Sequence, residues 1–339
     1  MTQQATENKI KKNSTSITSL DQIQKPIASE LEDFKKHFRE NLKTDVFLLN
    51  RIINYLLRMK GKEMRPVLVL LSAKMCGGIT PRSYTAATMI ELLHTATLIH
   101  DDVVDEADQR RGFLSINKVW KNKASVLLGD FLLAKGLLVA IDSDETELLK
   151  VLSTAVKRMS EGELRQLKAS KLQNMTEEKY YRIITEKTGS LLVACCECGA
   201  ISASADKESR LRMQEIGHHI GLAFQIRDDL LDYSQRETGK SSGNDIIERK
   251  ITLPFIAALE SSGLFEGRKM RWLYRKKHKS ADDVQKIRAF VSNYGGLSYA
   301  HQKMEEHAGK ALILLSKFPE SETRELFSEF IRFVIYRKK

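Results

Sequence analysis

The chain has 339 residues, with 55 Lys and Arg against 44 Asp and Glu for a net charge of +11, and only 5 prolines. That length buries a large core and permits one big domain or two, and the positive charge calls for an anionic partner: nucleic acid, a membrane surface or phosphorylated small molecules. The basic residues are spread out rather than interleaved with aromatics, so small phosphate ligands fit at least as well as nucleic acid, and with no run of about 18 uninterrupted apolar residues no transmembrane helix is expected.

Residues 1–18 lack an apolar signal core and read as a disordered polar lead-in. No long Pro/Gly/Ser-rich linker interrupts residues 19–339, which read as a single all-helical domain. Apolar residues recur there at helical spacing in nearly every segment. Helices are expected from about Leu20 to Leu42, over DVFLLNRIINYLLRMK, from Pro66 to the Gly77-Gly78 pair, and from near Ser83 through Asp105. Others follow over residues 121–140, 144–170, 176–204, 207–235 and 252–263, with several more to the carboxyl end. Period-two runs bounded by turn residues are essentially missing, and no strict period of a few dozen residues suggests a solenoid. The expected fold class is all-α. The cysteines Cys76, Cys195, Cys196 and Cys198, without a signal sequence, point to a reducing cytoplasm. The CCEC run lies in an apolar helical stretch with no second ligand pair at zinc spacing, so buried thiols are expected there rather than a metal site.

The first basic motif, GKEMRP, sets Lys62 and Arg65 beside the helix that Pro66 opens, where free backbone N–H groups attract anions. The segment IELLHTATLIHDDVVDEADQRRG follows. Its Asp101, Asp102 and Asp105 stand at i, i+1 and i+4, which puts Asp101 and Asp105 one turn apart on one helix face. Apolar neighbours surround them, and carboxylates in such a setting need a cation or are driven toward protonation. Clustered carboxylates on a helix suit magnesium, which uses one or two of them together with substrate phosphates. Taken alone, one DDxxD is explained by a solvated acidic face. The same spacing returns in HHIGLAFQIRDDLLDYSQ at Asp228, Asp229 and Asp232, again with apolar flanks. Two such triplets are hard to explain as unrelated surface faces; helices facing each other would form a cavity with metal clusters on opposite walls, suited to a diphosphate. His94 lies seven residues before Asp101, on nearly the same stripe. A lone histidine on an apolar face is usually core, and this alignment strengthens a ligand role. Arg110 and Arg111 follow the first triplet, and adjacent guanidinium forks can hold more than one phosphate. Lys187-Thr188, Lys240 and Lys250 extend the cationic complement.

These motifs, in the order GKEMRP, HTATLIHDDVVDEADQRRG, Gly129-Asp130, EGELRQL, EKTG, QIRDDLLDY, TGKSSGND and KITLP, resemble those of the trans-isoprenyl diphosphate synthases, the polyprenyl synthetase family, over nearly the whole chain after its lead-in. The resemblance implies one large helical bundle of the isoprenoid synthase type with a central active-site cavity. It implies that Asp101, Asp102, Asp105, Asp228, Asp229 and Asp232 hold magnesium, three ions in all, on an allylic diphosphate such as farnesyl or geranylgeranyl diphosphate. Arg110, Lys187, Thr188, Gln225, Lys240 and Lys250 would contact the same substrate, and Lys62, Arg65, His94 and Arg111 would hold isopentenyl diphosphate. Catalysis would fall to Asp101, Asp102, Asp105, Asp228, Asp229 and Lys187. Arg249 departs from the family, which commonly carries glycine before the lysine of KITLP.

Within that resemblance, Ala96 and Thr97, five and four residues before Asp101, occupy positions where shorter-chain members often carry a blocking aromatic. Neither is aromatic here, and a helix of about 22 residues is roughly 33 Å deep, so a medium to long product centred on eight isoprene units is expected, as in quinone side chains. Both acidic motifs lie on one chain, which favours a homodimer over a heteromer, and no nucleic-acid partner is expected. The basic end IRFVIYRKK suits a transient encounter with anionic lipid. Rival readings are a geranylgeranyl or farnesyl diphosphate synthase, a phosphohydrolase built on His100-Asp101, a non-catalytic regulatory subunit, and a terpene cyclase. The phosphohydrolase leaves the second triplet and both basic motifs unexplained, a regulatory subunit would show degraded acidic motifs, and a cyclase has no need of the two-substrate cation set.

Overall fold

The computed structural model describes residues 19–59, 61–110, 112–172, 176–233, 243–250 and 252–336; the polar lead-in and the last three residues of the basic carboxyl end lie outside them. It is 82% helical. Among the described residues the strands are one antiparallel pair, Gln109–Arg110 and Phe113–Leu114. The all-α expectation holds.

The chain divides into two compact units, one made of Ala28–Asn174 and Glu178–Leu222, the other of Met1–Ile27, Met175–Glu177 and Ala223–Lys339. In the first, the Met64–Met75 helix buries Val67 through Leu71 without exception and packs against Ser190–Ser202, which is buried on nearly every side. These two helices approach closely because Gly199 has no side chain: a Cβ there would lie 2.4 Å from the Val69 carbonyl oxygen. Cys195, Cys196 and Cys198 sit buried and unbridged in this contact, and burial pushes the Cys196 thiol up to about 12. The Pro81–Val104 helix packs along Ile116–Asp142. The latter is long and apolar enough to cross a membrane by length and composition, although Asp130 and Lys135 interrupt its apolar run. Its Leu127, Leu137, Leu138 and Ile141 are exposed.

In the second unit, Phe255 of the Leu253–Ser261 helix stacks on Tyr274 of Leu264–Arg275 with centroids 4.1 Å apart. Ile246, Met270, Ile287, Phe290 and Val291 complete that core.

Three expected boundaries shift. The first expected helix is interrupted at Pro26, which lacks an N–H, so that Leu20–Gln24 and Ala28–Asn41 are joined by a 3-10 turn. The helix of the GKEMRP motif starts at Met64, making Pro66 its third residue, still within the first turn where no N–H is needed. The expected helix over 176–204 is broken into Glu177–Ile184 and Ser190–Ser202 by a π-helical turn, Thr185–Gly189.

Candidate active site

The Pro81–Val104 helix delivers Asp101 and Asp102 in its last turn, and Asp105 caps it. Glu106 then takes the left-handed conformation at φ 50, and the Ala107 N–H returns to the Asp102 carbonyl at 2.9 Å, a Schellman stop. The Asn117 amide donates to the same carbonyl at 3.2 Å. The chain reverses through Gly112, φ 82, in the two-stranded hairpin. That reversal carries Arg110 back over the helix end, where its Nε donates to Asp102 Oδ1 at 2.7 Å and Oδ2 at 2.8 Å, with a terminal nitrogen 2.6 Å from Oδ1. Asp102 is therefore buried against its own cation, while Asp101 and Asp105 remain exposed.

Partial loss of water around it raises the Asp101 carboxyl above its ordinary range; Lys187 opposes the rise, Glu163 and Asp105 add to it, and Arg110 opposes it. Its exposure means that solvent tempers all of these. Lys187 lies in the π-turn and pairs with Glu163 of the Thr146–Leu172 helix. Single π-turns commonly mark functional sites. Here the turn lies against Gly162: a Cβ on Gly162 would meet the Lys187 backbone nitrogen at 2.7 Å. The EGELRQL and EKTG motifs thus form one contact. Thr188 is half-buried in the same turn. His94 is buried two turns before Asp101, and its carbonyl accepts from the Thr97 hydroxyl at 2.8 Å. Ala96 is fully buried and Thr97 half-buried. Lys62 is exposed and Arg65 half-buried at the start of Met64–Met75. His100, the other half of the His-Asp doublet, is turned to Val126 and Asp130, 3.3 and 3.5 Å from Nε2.

The second triplet closes the Lys207–Asp232 helix. Asp229 is buried; it accepts from the Gln225 amide at 3.0 Å and from the Leu253 N–H at 3.3 Å, at the start of a helix whose dipole favours negative charge. Asp232 accepts from the backbone N–H groups of Gly243 at 3.1 Å, Asn244 at 3.0 Å and Asp245 at 3.2 Å, so it anchors the returning loop. Burial nevertheless raises its carboxyl. Asp228 is half-buried. Lys250 pairs with Glu248 at 2.5 Å, and its carbonyl accepts from the Tyr274 hydroxyl at 2.5 Å. Arg111 and Lys240 lie outside the described residues.

Among the described residues no three His, Cys, Asp or Glu side chains converge as a metal cluster. That donor set fits magnesium better than a caged ion: the exposed pair Asp101 and Asp105 supplies one or two carboxylates, and a diphosphate supplies the remaining oxygens. Sequence reasoning gave no roles to Glu163, Asn117 or Gly162. Glu163 and Gly162 stand inside the EGELRQL motif; Asn117 carries no sequence signal.

The pattern of the polyprenyl synthetase family matches residues 46–291. An all-trans-nonaprenyl-diphosphate synthase (geranyl-diphosphate specific) of Rhodobacter capsulatus is 37% identical over 317 residues, 92% of this chain and 96% of its own. An octaprenyl diphosphate synthase of Escherichia coli is 33% identical over 323 residues, 95% and 100% of the two chains. Among solved structures, a polyprenyl synthase from Caulobacter crescentus complexed with calcium and isoprenyl diphosphate superposes with a TM-score of 0.88 at 30% identity, over 96% of this chain and 99% of that one. A decaprenyl diphosphate synthase from Rhodobacter capsulatus gives 0.89 at 32% identity, over 95% and 100%. The motifs, the all-helical fold and these matches agree: the chain belongs to the polyprenyl synthetase family and is a chain-elongating trans-prenyltransferase.

Proposed function

We propose that the chain is a magnesium-dependent synthase of long all-trans polyprenyl diphosphates, adding isopentenyl diphosphate to farnesyl or geranylgeranyl diphosphate up to about eight isoprene units, as the depth of the Pro81–Val104 helix allows. The observation that carries this is the first acidic motif: exposed Asp101 and Asp105 one turn apart, with Asp102 held between them by Arg110. The relatives' names, spanning eight, nine and ten units, support the long product, and the small Ala96 and Thr97 agree with it.

In this reading Asp101, Asp102, Asp105, Asp228, Asp229 and Asp232 hold three magnesium ions on the allylic diphosphate. Bound magnesium supplies charge stabilisation for the departing diphosphate. Arg110, Lys187, Thr188, Gln225, Lys240 and Lys250 bind that diphosphate and stabilise the charge it gains as the allylic carbon–oxygen bond ionises. Lys62, Arg65, His94 and Arg111 orient isopentenyl diphosphate so that its double bond attacks the allylic cation; the new carbocation then loses a proton to the released diphosphate. Positioning the two substrates together and excluding water around them protects the cation from quenching. Residues 19–339 act as one domain.

The reading extends to a cytoplasmic homodimer whose product serves as a quinone side chain. The unbridged cysteines suit a reducing compartment, and the exposed Leu127, Leu137, Leu138 and Ile141 on one helix suit burial against a second copy. A peripheral membrane contact would receive the insoluble product.

The test is incubation with isopentenyl diphosphate, farnesyl diphosphate and magnesium, with products sized by mass spectrometry. A ladder ending near eight units, abolished by EDTA and by Asp101→Ala, is expected. Termination at three or four units would refute the long product; no condensation by folded protein with any allylic primer would refute the activity.

A further inference from the structure

The Leu264–Arg275 helix turns Gly267, Met270, Leu273 and Tyr274 inward. Its other face exposes Leu264 by 85%, Phe265 by 79% and Trp272 by 64%. At 100° per residue Phe265 and Trp272, seven apart, share one stripe; Arg268 and Arg275, also seven apart, run beside it, with Lys269 on the far side. Bulky apolar side chains are seldom left so bare unless they meet something. Residues 264–279 carry seven Lys and Arg against the single Glu266, a net +6 of the chain's +11. Lys276 pairs with Asp283 at 3.2 Å and lies over the Trp272 ring at 5.1 Å; Arg268, Lys269, Arg271, Arg275 and Lys277 are exposed.

We infer that this face docks the chain on an anionic lipid bilayer, with Phe265 and Trp272 at headgroup depth and Arg268, Lys269 and Arg275 on lipid phosphates. An amphipathic helix with aromatics on its apolar stripe and cations at its flanks is the chemistry that lies in a membrane interface. Tryptophan in particular settles where an apolar ring meets water. Nucleic acid fits less well, because the most exposed side chain, Leu264, has no ring on which a base could stack. The inference rests on the long-chain product proposed above, which needs a bilayer to enter, and it places the contact on this helix instead of the carboxyl end.

The full chain is mixed with vesicles of phosphatidylcholine alone or with about a third phosphatidylglycerol, and binding is read by sedimentation. Binding to the anionic vesicles is expected, falling roughly tenfold as salt rises to about 0.5 M. Phe265→Ser with Trp272→Ser, and separately Arg268→Glu with Arg275→Glu, should each weaken it about tenfold or more, with vesicle-free condensation of soluble primer unchanged. Because the chain has 2 tryptophans, Trp120→Phe leaves Trp272 as sole reporter, and headgroup-proximal brominated lipid should quench it. Vesicle binding unaffected by both double variants overturns the inference and moves the contact elsewhere. So does active protein that binds no vesicle, or that binds RNA instead. If condensation fails while vesicle binding and its loss in the variants persist, the functional reading falls and the docking face stands.

Discussion

Arg110 grips both carboxylate oxygens of Asp102 from the far side of a hairpin turn, Nε at 2.7 and 2.8 Å. The pair closes the end of the acidic helix, and Asp102 is 4% exposed. Removing the guanidinium strands a buried carboxylate, so Arg110→Met should cost about 2 kcal/mol of stability. Adding Asp102→Asn should return most of that stability. Condensation should stay about a hundredfold or more below wild type in both variants, because neither restores the phosphate contact. Urea unfolding and steady-state kinetics measure the two effects. An Arg110→Met protein as stable as wild type would mean that solvent already satisfies Asp102.

Gly162 and Lys187 make the second prediction. A methyl at Gly162 would fall 2.7 Å from the Lys187 backbone nitrogen and 3.0 Å from Glu186 Cβ, so Gly162→Ala must push the π-turn away. A displacement of about 1 Å is enough to cost roughly a hundredfold in rate, and kcat/KM for the allylic substrate should fall on that order. Gly309→Ala is the control: nothing lies within 4 Å of its added carbon, and in a helix interior alanine should stabilise by about 0.5–1 kcal/mol. Equal thermal shifts and unchanged kinetics in both variants would dismiss the packing role of Gly162.

Much of this was legible in the sequence because helical periodicity and identical DDxxD spacing are local signals. Helix after helix begins and ends within a few residues of where apolar spacing and Gly/Pro punctuation put it. The division of labour inside each triplet was not legible. Spacing places Asp101 and Asp105 on one face, but that Asp102 is answered by Arg110 depends on a reversal through Gly112. That Asp232 accepts three backbone N–H groups depends on residues 243–245 returning to it. The π-turn is illegible for a related reason: five residues, Thr185–Gly189, are too few for apolar spacing to mark a change of helix type, and the turn packs on Gly162, more than twenty residues away in sequence.

Ala96 tests the product-length reading. It is fully buried one to two turns before Asp101, on the helix along which the proposed tail descends. Ala96→Phe should shorten the longest product from about eight units to about four or fewer, since an aromatic ring nearly spans the gap between packed helices. First-condensation turnover should stay within about tenfold. Mass spectrometry of the product ladder decides: an unshortened ladder from a folded variant would show that the tail takes another path.

Arg249 offers a stability test drawn from its departure from the family pattern. It occupies the residue after the cap of the Asn244–Ile247 helix at φ 63. The Arg249 N–H bonds the Ile246 carbonyl at 3.3 Å and the Lys250 N–H the Asp245 carbonyl at 2.8 Å, a full Schellman motif. Glycine adopts that conformation without the steric cost arginine bears, so Arg249→Gly should stabilise by about 0.5–1 kcal/mol after the looser unfolded chain is counted. Arg249 also helps burial to lower the Lys279 amine to about 8. Between pH 8 and its unfolded value of 10.5, the unfolded chain holds more protons at Lys279 than the folded one, so stability rises with pH through that window. Arg249→Gly should raise the folded value toward the unfolded one and flatten that rise, so the variant's advantage is larger at neutral pH than near pH 10. Thermal unfolding at both pH values checks it, and a lower melting temperature at neutral pH would show that the arginine side chain contributes more than its backbone strain costs.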